Sequence, residues 1–211
     1  MPVPTLSLRG VRTRDRVVIA AFAAALSVVP LSAGAAKKPP LPKLDSIHLW
    51  ATVDVCNTAT HPDTIGIRGS MPGTGDKREK MYMAFIVEFR SSTGHWHHFD
   101  TGGQSSYMAV GDASASTRQA GQNFKLNPNF SSTEVLRGVV LFQWRLGGKV
   151  LTSTVRASSP GNDPAAGSDP PGFSAGMCTI QPNSRGSLEI TPVTPSAASR
   201  AISAPSSTVH T

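Results

Sequence analysis

Three of the chain's six histidines fall in one short run, STGHWHHFD at Ser92–Asp100. On a β-strand, His95 and His97 share one face while Trp96 and His98 share the other. An H-x-H pair of this kind chelates Zn²⁺ or Cu²⁺, and Asp100, His48 or His61 would supply the third ligand of an open tetrahedral site. The competing reading sends Trp96 into the core and leaves the histidines on a solvated strand, where polar side chains discourage edge-to-edge pairing. We take the second as the working expectation and keep His95, His97 and Asp100 as the candidate metal ligands.

Other chemistry is sparse. No G-x-S-x-G elbow occurs, since GSMPG at Gly69–Gly73 places its serine one position early and a proline in the turn. PGTGDK at Pro72–Lys77 lacks the Lys-Ser/Thr and helix start that a phosphate loop needs, so it reads as a turn. Glu88 and Asp100 could face each other as a carboxylate pair, but an exposed cross-strand ion pair is the plainer role for Glu88. No enzymatic activity and no cofactor are expected. Binding is expected on the long polar loops, with Tyr107 and Met108 of the island YMAV as candidate contacts; the same island could instead be an added strand.

The elements that must carry these residues read as strands. Met81, Met83, Phe85, Val87 and Phe89 alternate onto one face, with Tyr82, Glu88 and Arg90 on the other. GVVLFQWRLGGKVLTSTVRA reads as a hairpin about a Gly147-Gly148 turn, pairing Trp144 with Leu151, Phe142 with Ser153 and Val140 with Val155. Its apolar face would be Val140, Phe142, Trp144, Leu151 and Val155. Further strands are expected at Ile47–Val55, Thr64–Gly69, Gln122–Leu126 and Met177–Ile180. No segment sustains a helical period. Ser158–Gly176 reads as a proline- and glycine-rich surface strap leading to Cys178.

The ends of the chain differ in character. Arg9, Arg12, Arg14 and Arg16 precede an apolar run from Val17 to Leu31, and Ala33-Gly34-Ala35 offers small residues for cleavage, the pattern of a signal peptide over 1–35. An uncleaved membrane anchor is the alternative. Residues 36–44 form a proline-rich linker, 45–181 the domain, and 182–211 a Ser/Thr/Ala/Pro-rich tail too poor in large apolar groups to fold. Without residues 1–35 the formal charge of +7 falls to +4, from 16 basic and 12 acidic residues. Lys77, Arg78 and Lys80 are interrupted by Glu79, so nucleic-acid binding is not expected. In an exported chain Cys56 and Cys178 favour a disulfide, placed at a rim because strand alternation turns Cys56 away from Val53 and Val55 unless a bulge intervenes.

VCNTATHPDTIGIRGSMPG, MYMAFIVEFR with the following Trp-bearing strand, LRGVVLFQWRLGGKVL and DPPGFSAGMC together resemble a group of secreted, functionally uncharacterised bacterial single-domain proteins. The resemblance covers roughly residues 45 to 181. It implies an immunoglobulin-like or fibronectin-III-like antiparallel β-sandwich of about seven strands, exported, and carries no activity with it. Two departures from immunoglobulin domains stand out: the cysteines lie near the domain's ends, and no tyrosine corner precedes Val139. The expected function is a secreted or outward-facing, non-catalytic binding or cell-surface interaction module for an extracellular protein or glycan. Membrane contact would come only through an uncleaved leader. A metal-binding protein is the alternative, and a small hydrolase the remotest.

Overall fold

The computed structural model describes residues 38–127, 132–162, 165–181 and 189–192. The leader expected over 1–35 and most of the tail expected over 182–211 lie outside the described residues. What is described is all-β: two antiparallel sheets packed face to face, with ten strands rather than about seven. β1 (Trp50–Cys56), β2 (Thr64–Pro72), β6 (Thr117–Asn127) and β10 (Glu189–Pro192) form a four-stranded sheet in the order β1-β2-β6-β10. The second sheet has six strands, centred on β3 (Glu79–Arg90), β7 (Glu134–Leu146) and β8 (Lys149–Ala157). Its short members are β4 (Trp96–His98) and β5 (Met108–Asp112) along β3, and β9 (Cys178–Ile180) along β7. No described helix is long and apolar enough to cross a membrane.

Alternation builds the core. Met81, Met83, Phe85 and Val87 on β3 and Phe142 and Trp144 on β7 face Ile65, Ile67 and Phe124 of the other sheet, all fully buried. The indole N–H of Trp144 is satisfied by the Pro72 carbonyl at 3.0 Å. Two glycines let the sheets approach. A Cβ on Gly138 would meet Ile67 at 2.6 Å, and one on Gly69 would meet Val140 at 2.9 Å.

Bulges correct two expectations. The β7–β8 turn forms as read, with Gly147 and Gly148 at φ 55° and 82° and Leu146 opposite Lys149. Beyond it a bulge at Leu151 shifts the register, so Trp144 lies opposite Thr152, Phe142 opposite Thr154 and Val140 opposite Arg156. A one-residue shift exchanges faces. Val155 therefore points outward, 49% exposed, and Arg156 reaches the Leu44 carbonyl at 2.7 Å. In β1 the register breaks between Val53 and Val55, and Cys56 comes to lie opposite the core residue Ile65. The bulge thus turns Cys56 inward, where it bonds to the buried Cys178 of β9 with 5.4 Å between Cα atoms. The bridge joins the two sheets rather than lying at a rim.

Two boundaries also shift. Ile47, expected in the first strand, is 87% exposed, and β1 starts at Trp50. Within the segment read as tail, Glu189–Pro192 pairs with β6 as a fourth strand.

Candidate binding face

The solvent-facing side of the six-stranded sheet is set by register. β3 pairs β7 with Lys80 opposite Arg145, Tyr82 opposite Gln143, Ala84 opposite Leu141, Ile86 opposite Val139 and Glu88 opposite Arg137. These residues alternate with the core set and so share the outer face. Val150 and Val155 of β8, opposite Arg145 and Leu141, extend it with 43% and 49% exposure. A middle of Ala84, Ile86 and Val139, all three buried, separates two clusters about 27 Å apart along β3 at roughly 3.4 Å per residue.

At one end, the Arg145 guanidinium lies 4.1 Å from the Tyr82 ring centroid and 5.0 Å from that of Tyr107. Its Nε donates to Gln143 Oε1 at 2.8 Å, and Gln143 Nε2 donates to the Tyr107 hydroxyl at 3.0 Å. Cation–π contact therefore holds the planar cation against two rings. Among the described residues Arg145 has no carboxylate partner. Lys80 is exposed beside it, while Asp112, opposite Lys80 on β5, sits 3.7 Å from Arg118.

At the other end, Arg137 lies 4.4 Å over the Trp96 ring and donates to Glu88 Oε2 at 2.6 Å. His98 Nε2 is 3.0 Å from Glu88 Oε1. The cross-strand role read for Glu88 holds, but the carboxylate is buried, 7% exposed, rather than on the surface. Trp96 is half-buried on the outer face, not in the core, because it lies opposite Arg90 and not opposite Phe89. His97 takes the Phe89 side and stacks on that ring at 5.5 Å.

The remaining site candidates are placed as follows. His95 and Asp100 are exposed around β4, and no three His, Cys, Asp or Glu side chains among the described residues are grouped to hold a metal. His61, weighed as a third ligand, bonds Asp169 instead, Nδ1 to Oδ2 at 2.8 Å. Met108 belongs to β5 and packs against the core, whereas Tyr107 keeps 37% exposure. The island is thus an added strand that also presents one aromatic ring.

Sequence reasoning missed a polar cluster between the four-stranded sheet and the strap. The Asp169 carboxylate accepts hydrogen bonds from Thr58, Thr60 and His61, and its N–H donates to the Asp54 carbonyl at 2.9 Å. Those side-chain bonds hold the Asp169 carboxyl down to about 2. Beneath it Arg68 Nε meets Asp54 Oδ2 at 2.7 Å. Burial raises the Asp54 carboxyl despite Arg68, and Asp54 Oδ1 has no hydrogen-bond partner among the described residues. The three side-chain donors converge on one carboxylate rather than on an open space, the arrangement of a clamp on the strap. The signal was present in sequence only as the turn-rich THPD and DPPG stretches.

Comparison of the chain with protein-family models, with curated proteins and with solved structures gave no match in any of the three.

Proposed function

We propose that the protein is an exported, non-catalytic binding module of immunoglobulin-like type, acting at a cell surface or outside the cell, with the outer face of the six-stranded sheet as its contact surface. The disulfide supports an oxidising compartment, where such bonds persist. Two packed antiparallel sheets tied together by that bond support the immunoglobulin-like reading. One observation carries the functional part: the outer face carries an arginine–aromatic cluster at each end, the side chains that dominate binding surfaces.

The test is saturable binding of the labelled full chain to intact cell surfaces, comparing the wild type with a Trp96→Ala, Tyr107→Ala double variant and with Lys43→Gln as control. The expected result is at least a tenfold loss in the double variant, with its unfolding midpoint and the control unchanged. Binding indifferent to both aromatic substitutions, or no saturable binding, would overturn the reading.

A further inference from the structure

We infer that the Lys80–Arg145 end of this face binds an acidic polysaccharide, a chain of hydroxyl-rich rings carrying carboxylates or sulfates. The inference rests on the reading of the outer face as the contact surface and names its ligand class.

Charge is the first argument. Lys80 and Arg145 are direct cross-strand partners of like sign, a pairing that destabilises a sheet unless an anion relieves it. Asp112, opposite Lys80 on β5, is the carboxylate on that side of the pair, and it is shared with Arg118 of the other sheet. The remote end repeats the sign: Arg90 is exposed beside Trp96, and Glu88 is already shared by Arg137 and His98. The face thus offers cations at Lys80 and Arg90, about 34 Å apart along β3 at roughly 3.4 Å per residue, a span that an extended polymer with repeated charge covers.

Geometry is the second argument. Arg145 is held by two rings and Gln143 through Nε and Nη2, so its fork is oriented before any ligand arrives. Among the described residues no hydrogen bond engages Nη1, and a guanidinium edge suits a planar carboxylate or a sulfate. Around it the Tyr107 hydroxyl, which accepts from Gln143, keeps its own hydrogen to donate to a ring hydroxyl, while half-exposed Tyr107 offers an apolar edge. One side of each tyrosine ring is engaged by Arg145, which disfavours base stacking by a nucleic acid.

The experiment is calorimetric titration of the full chain with a polyuronate, a sulfated dextran, neutral dextran, polyglutamate and a single-stranded oligonucleotide, at two salt concentrations. The expected result is binding to the polyuronate or the sulfated dextran, which identifies carboxylate or sulfate as the preferred anion, weakened by salt and absent with neutral dextran. Arg145→Gln and Tyr107→Ala should each weaken it about tenfold, and Lys125→Gln on the opposite sheet should not. Equal binding of polyglutamate or the oligonucleotide, or equal loss in all charge variants, would overturn the assignment. Absence of polymer binding would overturn it as well. If cell-surface binding remained sensitive to Trp96 and Tyr107 in that case, the contact face would stand and only its ligand class would fall.

Discussion

Glu79 shows how one residue can govern the response of this fold to pH. It sits at the core-facing start of β3 with no solvent exposure, its Oε2 accepting from the Thr74 hydroxyl at 2.8 Å and its Oε1 without a hydrogen-bond partner among the described residues. Burial raises its carboxyl above the usual range. A raised folded value means that the neutral acid is the tolerated form. Its contribution is fully present below the unfolded value near 4.5 and lost as pH rises through the folded one. Urea midpoints of Glu79→Gln should therefore gain on the wild type as pH rises from about 4 to 7. Parallel curves over that range would show the acid to be indifferent. Asp169 has the opposite sign. Held down to about 2 by Thr58, Thr60 and His61, it stabilises the strap above pH 3.8 and releases it as pH falls towards 2. Amide exchange in 165–176 should accelerate over that interval, and Asp169→Asn should show the faster exchange already at neutral pH.

At the scale of elements, sheet spacing depends on residues that have no side chain. Gly138 lies on the core face of β7 where Ile67 of β2 crosses it, and an added methyl would collide with three Ile67 carbons. Gly138→Ala should lower stability by about 1–3 kcal/mol in denaturant unfolding, the usual cost of overpacking. A change below about 0.5 kcal/mol would mean that the sheets can separate locally. Strand β3 was legible because its alternation continues for ten residues, and one face meets the opposing sheet along its whole length. The second half of the hairpin was not. VLTSTV alternates weakly enough that a bulge at Leu151 can exchange its faces, and β8 lies at an edge where Thr152, Thr154 and Arg156 stay partly hydrated on the inner side. Trp96 was misplaced for a related reason. Three residues of β4 carry too little pattern to set register, and pairing with Arg90 rather than Phe89 puts the indole outside.

Across the whole molecule, one covalent bond links β1 to β9 over a sequence separation of 122 residues. Chain-entropy reasoning gives such a loop an upper figure of about 5 kcal/mol. A Cys56→Ser, Cys178→Ser variant should lose about 2–5 kcal/mol by denaturant titration, and the reduced wild type should match it. Unchanged midpoints would mean that packing alone holds β9 in place. The sequence by itself determined the all-β class, the buried face of β3, the Gly147-Gly148 turn and the cysteine pair. Each follows from short-range periodicity, from backbone freedom at adjacent glycines, or from there being only two thiols. Only the tertiary structure decided which side of the sheet receives Trp96 and Val155, that Cys56 turns inward, that Asp169 clamps the strap, and that Lys80 and Arg145 stand side by side with Arg145 against two tyrosines. Those outcomes depend on bulges and on pairings between segments up to 122 residues apart, whose energies are set by partners that local pattern does not contain.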